Sequence, residues 1–462
     1  MTSGRLHPRL PRLRARSWSA LTVAVVAALG LSACSSGGGD ATTASTPSPS
    51  STTTASCSSG ATKLTFWGWP AGYDLAVDEF NKTHPDVCVA LENAGASTQE
   101  YTKLSDAIKA GSGAPDIATI EYFELPSFEV TQNLVDLSKY GIGSAKADEA
   151  PVAWSQVSRG SHVWAMPVDL GPMALFYNQQ QFAAAGITVP TTWTEFATAA
   201  QTLQSKDSST AITNLDPTNA QAMLALMQQA DAFPFTYTGG SKLGIDFTGA
   251  KQQAFAEYWQ KLIAAKQVTT AADFSPAQWS NLDDGTNAAR LSPAWGPVGM
   301  QLSVKKTLGD WRTAPLPQAT SGSHTSGNWG GSTLAVVKGT PHAKEAAEFV
   351  KWFGGSADSW KILSGDVGGA FPGYLPLLDD PAFQHKTLPI SGDSTPNTTF
   401  AEAAKNVENP EWPPIMTAAL TKWTSTFAGV TKGSKTLPQA FKEFQQQMTT
   451  YAKSQGFTVT GS

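Results

Sequence analysis

Arginine almost disappears from this chain after its first sixteen residues: only Arg159, Arg290 and Arg312 follow. Sites for phosphate and other anions are commonly built from clustered guanidinium groups, so the scarcity argues against an anionic ligand. Charged residues of all kinds make up only 15% of the sequence. Cysteine is scarce too, with Cys34, Cys57 and Cys88 spaced in no zinc or redox pattern. No HExxH, GxSxG, P-loop or Cys/His cluster is present, and Asn281–Gly285 resembles a calcium loop only faintly. No metal and no cofactor is therefore expected. After residue 33 no apolar run approaches the roughly eighteen residues needed to span a bilayer.

What is present begins with an acid-free N-terminus. Arg5, Arg9, Arg12, Arg14 and Arg16 precede an apolar stretch, Ala20 to Leu31, too short for a membrane helix. Leu31-Ser32-Ala33-Cys34 follows and resembles a bacterial lipobox, whose cysteine becomes the acylated first residue. Residues 1–33 read as a lipoprotein signal peptide, Cys34 as the lipidation site, and 34–60 as a lipid-anchored flexible linker of Ser, Thr and Gly. The expected location is extracytoplasmic, on the outer face of the cell membrane. Removing 1–33 takes away five arginines and no acids, so formal charge moves from −5 to −10 and nucleic acid is an unsuitable partner. The roughly 400 residues that remain exceed what one core usually sustains, so two lobes are expected. Cys57 and Cys88 are left as a possible disulfide, with two free thiols as the alternative.

Alternating strand and helix patterns open the globular part. Lys63–Trp67, Val87–Leu91 and Asp116–Ile120 read as strands, separated by helices carrying Tyr73, Val77 and Phe80, then Tyr101, Leu104 and Ile108, on one face. That alternation predicts a parallel sheet covered on both faces, hence an α/β class. Thr192 and Glu195 fit a capping box, Thr340-Pro341 reads as the cap of a helix burying Ala346, Phe349, Val350 and Phe353, and 413–427 and 437–454 read as amphipathic helices.

Several segments together carry a family pattern: FWGWPAGYDLAVDEFNKTHPDV at 66–87, KLSDAIKAGSGAPDIATIE at 103–121, VWAMPVDLGPMALFYN at 163–178, AGITVPTTWTEF at 185–196 and NWGGSTLAVVKGTPHAKEAAEFVKWF at 328–353. This chain is similar to the extracellular solute-binding proteins of carbohydrate ABC importers, the maltose-binding-protein-like family (family 1). The resemblance implies a two-lobed periplasmic-binding-protein-like fold of type II, each lobe a sheet flanked by helices, with a helix-rich C-terminal part. Lobe 1 is expected at 58–167 and 335–370, lobe 2 at 168–328 and 372–462, with chain crossings near 165–176, 329–337 and 367–376. It further implies a monomer that binds a carbohydrate between the lobes, without catalysis, and hands it to ABC permease subunits in the membrane.

A sugar offers apolar C–H faces and a rim of hydroxyls, so its site needs aromatic plates and fixed polar groups. Position at strand ends and crossings, where ligands sit in open α/β sheets, selects the candidates. They are Trp67 and Trp69 after the first strand, Glu121 and Tyr122 ending the third, and Asp169 at the first crossing. Trp295 and Gly296 lie at a strand-to-helix turn, Trp329, Gly330 and Gly331 at the second crossing, and Phe371 and Tyr374 at the third. The alternatives are a receptor for a cation such as a polyamine, which would suit Glu121 and Asp169, and a secreted glycoside hydrolase using the same two carboxyls.

Overall fold

The computed structural model describes residues 57–461, so the signal segment 1–33, Cys34 and linker residues 34–56 lie outside the described residues. Five strands form the first sheet, in the spatial order Val87–Glu92, Thr62–Trp67, Ile117–Glu121, Ser332–Val336, Met166–Pro167. The first three are parallel, as the strand–helix alternation predicts. Ser332–Val336 departs from that expectation: it runs antiparallel to the third strand, Ser332 opposite Glu121 and Val336 opposite Ile117. The reason is connectivity, because this strand returns from the other lobe and enters the sheet at the end where the third strand leaves it. Helices Tyr73–Thr83 and Ala343–Gly355 cover one region of the core, where Phe66 meets the rings of Tyr73, Phe349 and Phe353 at 6.0, 5.6 and 6.0 Å. The second of these helices starts later than Thr340-Pro341 suggests. The Thr340 hydroxyl instead donates to Asp116 Oδ1 at 2.5 Å and accepts the His342 N–H, which holds 340–342 in a turn. Cys57 and Cys88 are joined, with Cα atoms 5.7 Å apart, so the disulfide left open by the sequence ties the start of the globular part to the second strand.

In the second lobe the central strand Met173–Asn178 is flanked by Ala289–Pro293 and Trp311–Pro315, both antiparallel to it. Here the parallel expectation fails again, since neighbouring strands come from distant stretches of chain. Capping boxes at Thr192/Glu195 and Thr436/Gln439 open helices Trp193–Lys206 and Leu437–Ser454. The helix expected from 413 begins at Met416, after Pro413 and Pro414, which have no N–H to donate. Trp423 and Phe427 on that helix stack at 3.9 Å and pack with Phe247, Phe441 and Phe444. These C-terminal helices thus close the second lobe's core.

Three stretches of backbone run side by side between the lobes. The Val168 N–H donates to Ser332 O at 3.0 Å, Leu170 N–H to Phe371 O at 2.8 Å, Gly373 N–H to Val168 O at 3.0 Å and Trp329 N–H to Gly171 O at 2.7 Å. Close approach is built in, because a Cβ on Gly171 would lie 1.9 Å from the Trp329 carbonyl oxygen.

Candidate functional site

The candidate site grows from this bundle of crossings and the strand ends beside it. Glu121 ends its strand with only 8% of its surface exposed. Its Oε2 accepts the Tyr101 hydroxyl at 3.0 Å, while the same hydroxyl accepts the Glu121 N–H at 2.9 Å. Tyr101 in turn takes the edge of Trp69, ring centroids 6.0 Å apart, so Trp69, Tyr101 and Glu121 form one supported row. Trp67 is held differently, its indole N–H donating to Glu92 Oε2 at 3.2 Å.

From the other lobe, Trp295 caps the helix Gly296–Ser303 and donates its indole N–H to the Trp329 carbonyl at 3.0 Å. The rings of Trp295 and Trp329 meet edge to face at 5.7 Å. Gly296 has no room for a side chain, since a Cβ would approach Ser292 Oγ to 2.3 Å. Gly330 adopts φ +77°, and a Cβ there would lie 3.6 Å from Glu121 Oε1, 3.6 Å from Trp295 Nε1 and 3.7 Å from Gln221 Oε1. One bare stretch of main chain is therefore surrounded by a carboxylate, an indole and an amide from three separate segments. Such a spot lets a ligand approach backbone and side chains together.

Other candidates sit at the edge of this point or away from it. Asp169 Oδ1 accepts the Ser332 N–H at 2.7 Å, linking two crossings. Tyr122 is buried, and its ring lies under Gly331, 2.9 Å from where a Cβ would be. Phe371 is 2% exposed and packs on Phe383 and Phe400 at 5.7 and 5.9 Å. Tyr374 opens the short helix Leu375–Leu378 and pairs with Glu149. The structure thus brings Glu121, Trp295, Trp329 and Gly330 together, and it gives Phe371 and Tyr374 contacts outside that group.

Residues that the sequence reading passed over also converge. Gln221, in the first turn of the helix Ala220–Gln229, donates to Ser97 Oγ at 3.5 Å. Asn328 donates to Gly330 O at 2.7 Å and accepts the Gly171 N–H at 2.9 Å, bracketing the crossing. Phe274 is 44% exposed, holds φ +62° and lies 5.8 and 5.9 Å from the rings of Trp295 and Trp329. Behind it the buried Arg290 guanidinium stacks on Phe274 and Trp279 at 5.6 and 4.8 Å. The only signal for Phe274 was an aromatic directly before Ser275-Pro276, the start of a capped helix. Gln221 and Asn328 carried none.

Burial, opposed by hydrogen bonds from Ser97 and Tyr101, pushes the Glu121 carboxyl up to about 7. Burial likewise raises Glu124 to about 7 and Asp169 to about 6. Each raised carboxyl holds its proton more tightly folded than unfolded, so its contribution favours the folded state at low pH and is lost as pH climbs from the usual carboxylate range through these values. The thermal unfolding midpoint of the ligand-free protein is therefore expected to fall between pH 5 and pH 8. A flat profile over that window would mean that these groups are hydrated. Among the described residues no group of three or more His, Cys, Asp or Glu is placed to hold a metal ion.

Residues 69–358 match the family described as bacterial extracellular solute-binding protein. The chain is 25% identical over 329 residues to an arabinooligosaccharide-binding protein of Bacillus subtilis, covering 68% of this chain and 74% of that one. It is 27% identical over 323 residues to an uncharacterized lipoprotein of Streptomyces antibioticus, covering 66% of this chain and 68% of the relative. Among solved structures, the ABC transporter associated binding protein from B. animalis subsp. lactis Bl-04 in complex with beta-1,6-galactobiose superposes with a TM-score of 0.76 at 29% identity, covering 86% of this chain and 99% of that one.

Proposed function

Because the chain belongs to the bacterial extracellular solute-binding proteins, we propose that it captures a sugar or oligosaccharide between its two lobes and delivers it to the membrane permease of a carbohydrate ABC importer. The convergence of Glu121 and Trp295 on the bare backbone at Gly330 carries this reading, since it joins a hydroxyl acceptor to an aromatic plate. The relatives that bind an arabinooligosaccharide and a galactobiose support the ligand class. Family proteins of this kind bind their solutes, and we assign this chain the same non-catalytic role. We place the ligand contacts at Trp69, Glu121, Trp295, Trp329 and Gly330, with Gln221 and Phe274 added. The lobes are 58–167 with 335–370 and 168–328 with 372–462, hinged where the three crossings share hydrogen bonds.

Closure is the working motion. A ligand shifts the open–closed equilibrium only by its differential affinity for the two states, which a site divided between lobes supplies. The protein acts as a monomer outside the cytoplasm, tethered through Cys34, and a lipoprotein relative supports the anchor. The test is the unfolding midpoint of the full-length protein against arabinooligosaccharides, galactobiose, polyamines and phosphorylated metabolites. A ligand at a hundredfold excess over its Kd stabilises by about 2.7 kcal/mol. A shift with saccharides alone is expected. A shift with polyamines alone would replace the sugar by a cation, and released monosaccharide after prolonged incubation would establish hydrolysis.

A further inference from the structure

Phe274 holds φ +62°, a left-handed backbone that a bulky side chain adopts only when its surroundings impose it. The constraint comes from both sides of the residue. Its N–H donates to Gln278 Oε1 at 2.7 Å, and its carbonyl accepts the Trp279 indole N–H at 3.1 Å. One residue earlier the Asp273 N–H donates to Asp216 Oδ2 at 3.0 Å, while the Asp273 carboxyl accepts the side-chain amides of Asn219, Asn214 and Gln278. The turn is pinned through backbone and side chains alike, yet the ring it presents is left 44% exposed. Strain of this kind gathers where a side chain is needed in one place.

Arg290 lies directly behind that ring. It is 3% exposed, and its three guanidinium nitrogens are buried without a hydrogen-bond partner among the described residues. A buried charge in that condition is costly, and Asp273 supplies an opposing charge. What the guanidinium touches is aromatic: its central carbon lies 5.6 Å from the Phe274 ring centre and 4.8 Å from that of Trp279. Trp279 therefore holds Phe274 twice, through its own N–H and through the shared guanidinium. A lysine could answer Asp273 equally well, but it has no plane to lay against two rings. On its other side Phe274 meets Trp295 and Trp329 at 5.8 and 5.9 Å, so the ring held in this way stands at the candidate site.

We propose that Arg290 and Trp279 are positioning residues that act through Phe274, holding its ring against Trp295 and Trp329 so that this aromatic wall is set before a ligand arrives. Order held in advance is not lost on binding, which strengthens affinity. For its ligand the inference rests on the sugar-receptor reading above. The full-length protein is titrated calorimetrically with the saccharide of the panel that stabilises it most. Phe274→Ala and Arg290→Lys are each expected to bind about tenfold more weakly than native, and the double variant within about twofold of Phe274→Ala alone. An Arg290 that only supports the fold would weaken binding equally in both backgrounds, and that result, or native affinity in either single variant, would overturn the positioning role. Trp279→Phe, at a half-buried position, enters the same cycle if Arg290→Lys unfolds early, because it keeps a ring on the guanidinium and frees the Phe274 carbonyl. Fluorine NMR of the ligand-free protein carrying para-fluorophenylalanine at position 274 adds a readout that needs no saccharide. One resonance displaced from its unfolded position is expected, moving back toward that position in Arg290→Lys; an unmoved resonance would overturn the clamp. Failure of every saccharide to bind would overturn the sugar reading, and the fluorine resonance would still decide the clamp.

Discussion

A Trp295→Ala protein is expected to bind its saccharide about a hundredfold more weakly than the native chain, the loss typical of an aromatic anchor at the centre of a site. Two contributions combine. In the proposed site the indole face would be a plate for the sugar's C–H surface, and the ring N–H, 3.0 Å from the Trp329 carbonyl, fixes the backbone that presents Gly330. Trp295 is only partly enclosed, so the variant should unfold close to the native temperature. Trp295→Phe separates the two effects: it keeps a ring and loses the hydrogen bond, for which about tenfold weaker binding is expected. Calorimetric titration with the best ligand of the saccharide panel measures both. Unchanged affinity in Trp295→Ala would move the site away from Gly330.

Gly171→Ala acts on the scaffold instead. Where space allows, replacing glycine by alanine stabilises by about 0.4–1 kcal/mol, because the unfolded chain loses freedom. At Gly171 the added carbon would lie 1.9 Å from the Trp329 carbonyl oxygen and 3.0 Å from Trp295 Nε1. Two crossings must separate to admit it, and the Trp329 N–H bond to Gly171 O lies directly in the path. A loss of about 3 kcal/mol is expected, at the upper end for overpacking. Gly143→Ala is the control, since a Cβ there meets nothing within 4 Å. Denaturant unfolding of the two variants should give opposite signs. If Gly171→Ala behaved like the control, the crossings would be far looser than their hydrogen bonds indicate.

Local pattern made some parts legible and left others hidden. The capping box at Thr192 and Glu195 and the buried faces of Tyr73–Thr83 and Ala343–Gly355 depend on residues three or four apart, so the sequence displays them directly. Strand direction does not work that way. Ser332–Val336 reads as a strand in isolation, yet nothing nearby tells that it will lie antiparallel to Ile117–Glu121, some two hundred residues earlier. The candidate site divides along the same line. Glu121, Trp295 and Trp329 stand at strand ends and crossings, positions that motif order places, whereas Gln221 and Asn328 matter through contacts with segments far away in sequence. Phe371 and Tyr374 show the converse: suitable residue types at a crossing, where the Phe371 ring packs on Phe383 and the Tyr374 backbone pairs with Glu149.

The sequence by itself carried the export-signal pattern of its N-terminus, the argument against an anionic ligand that comes with so few arginines, and the family, because each resides in composition or in short runs whose physics is local. The tertiary structure decided the pairing of Cys57 with Cys88, the direction of the strands that join the lobes, and the meeting of Glu121, Trp295 and Gln221 around Gly330. Those features depend on distances between residues remote in the chain, and such distances are set only when the cores and crossings pack together.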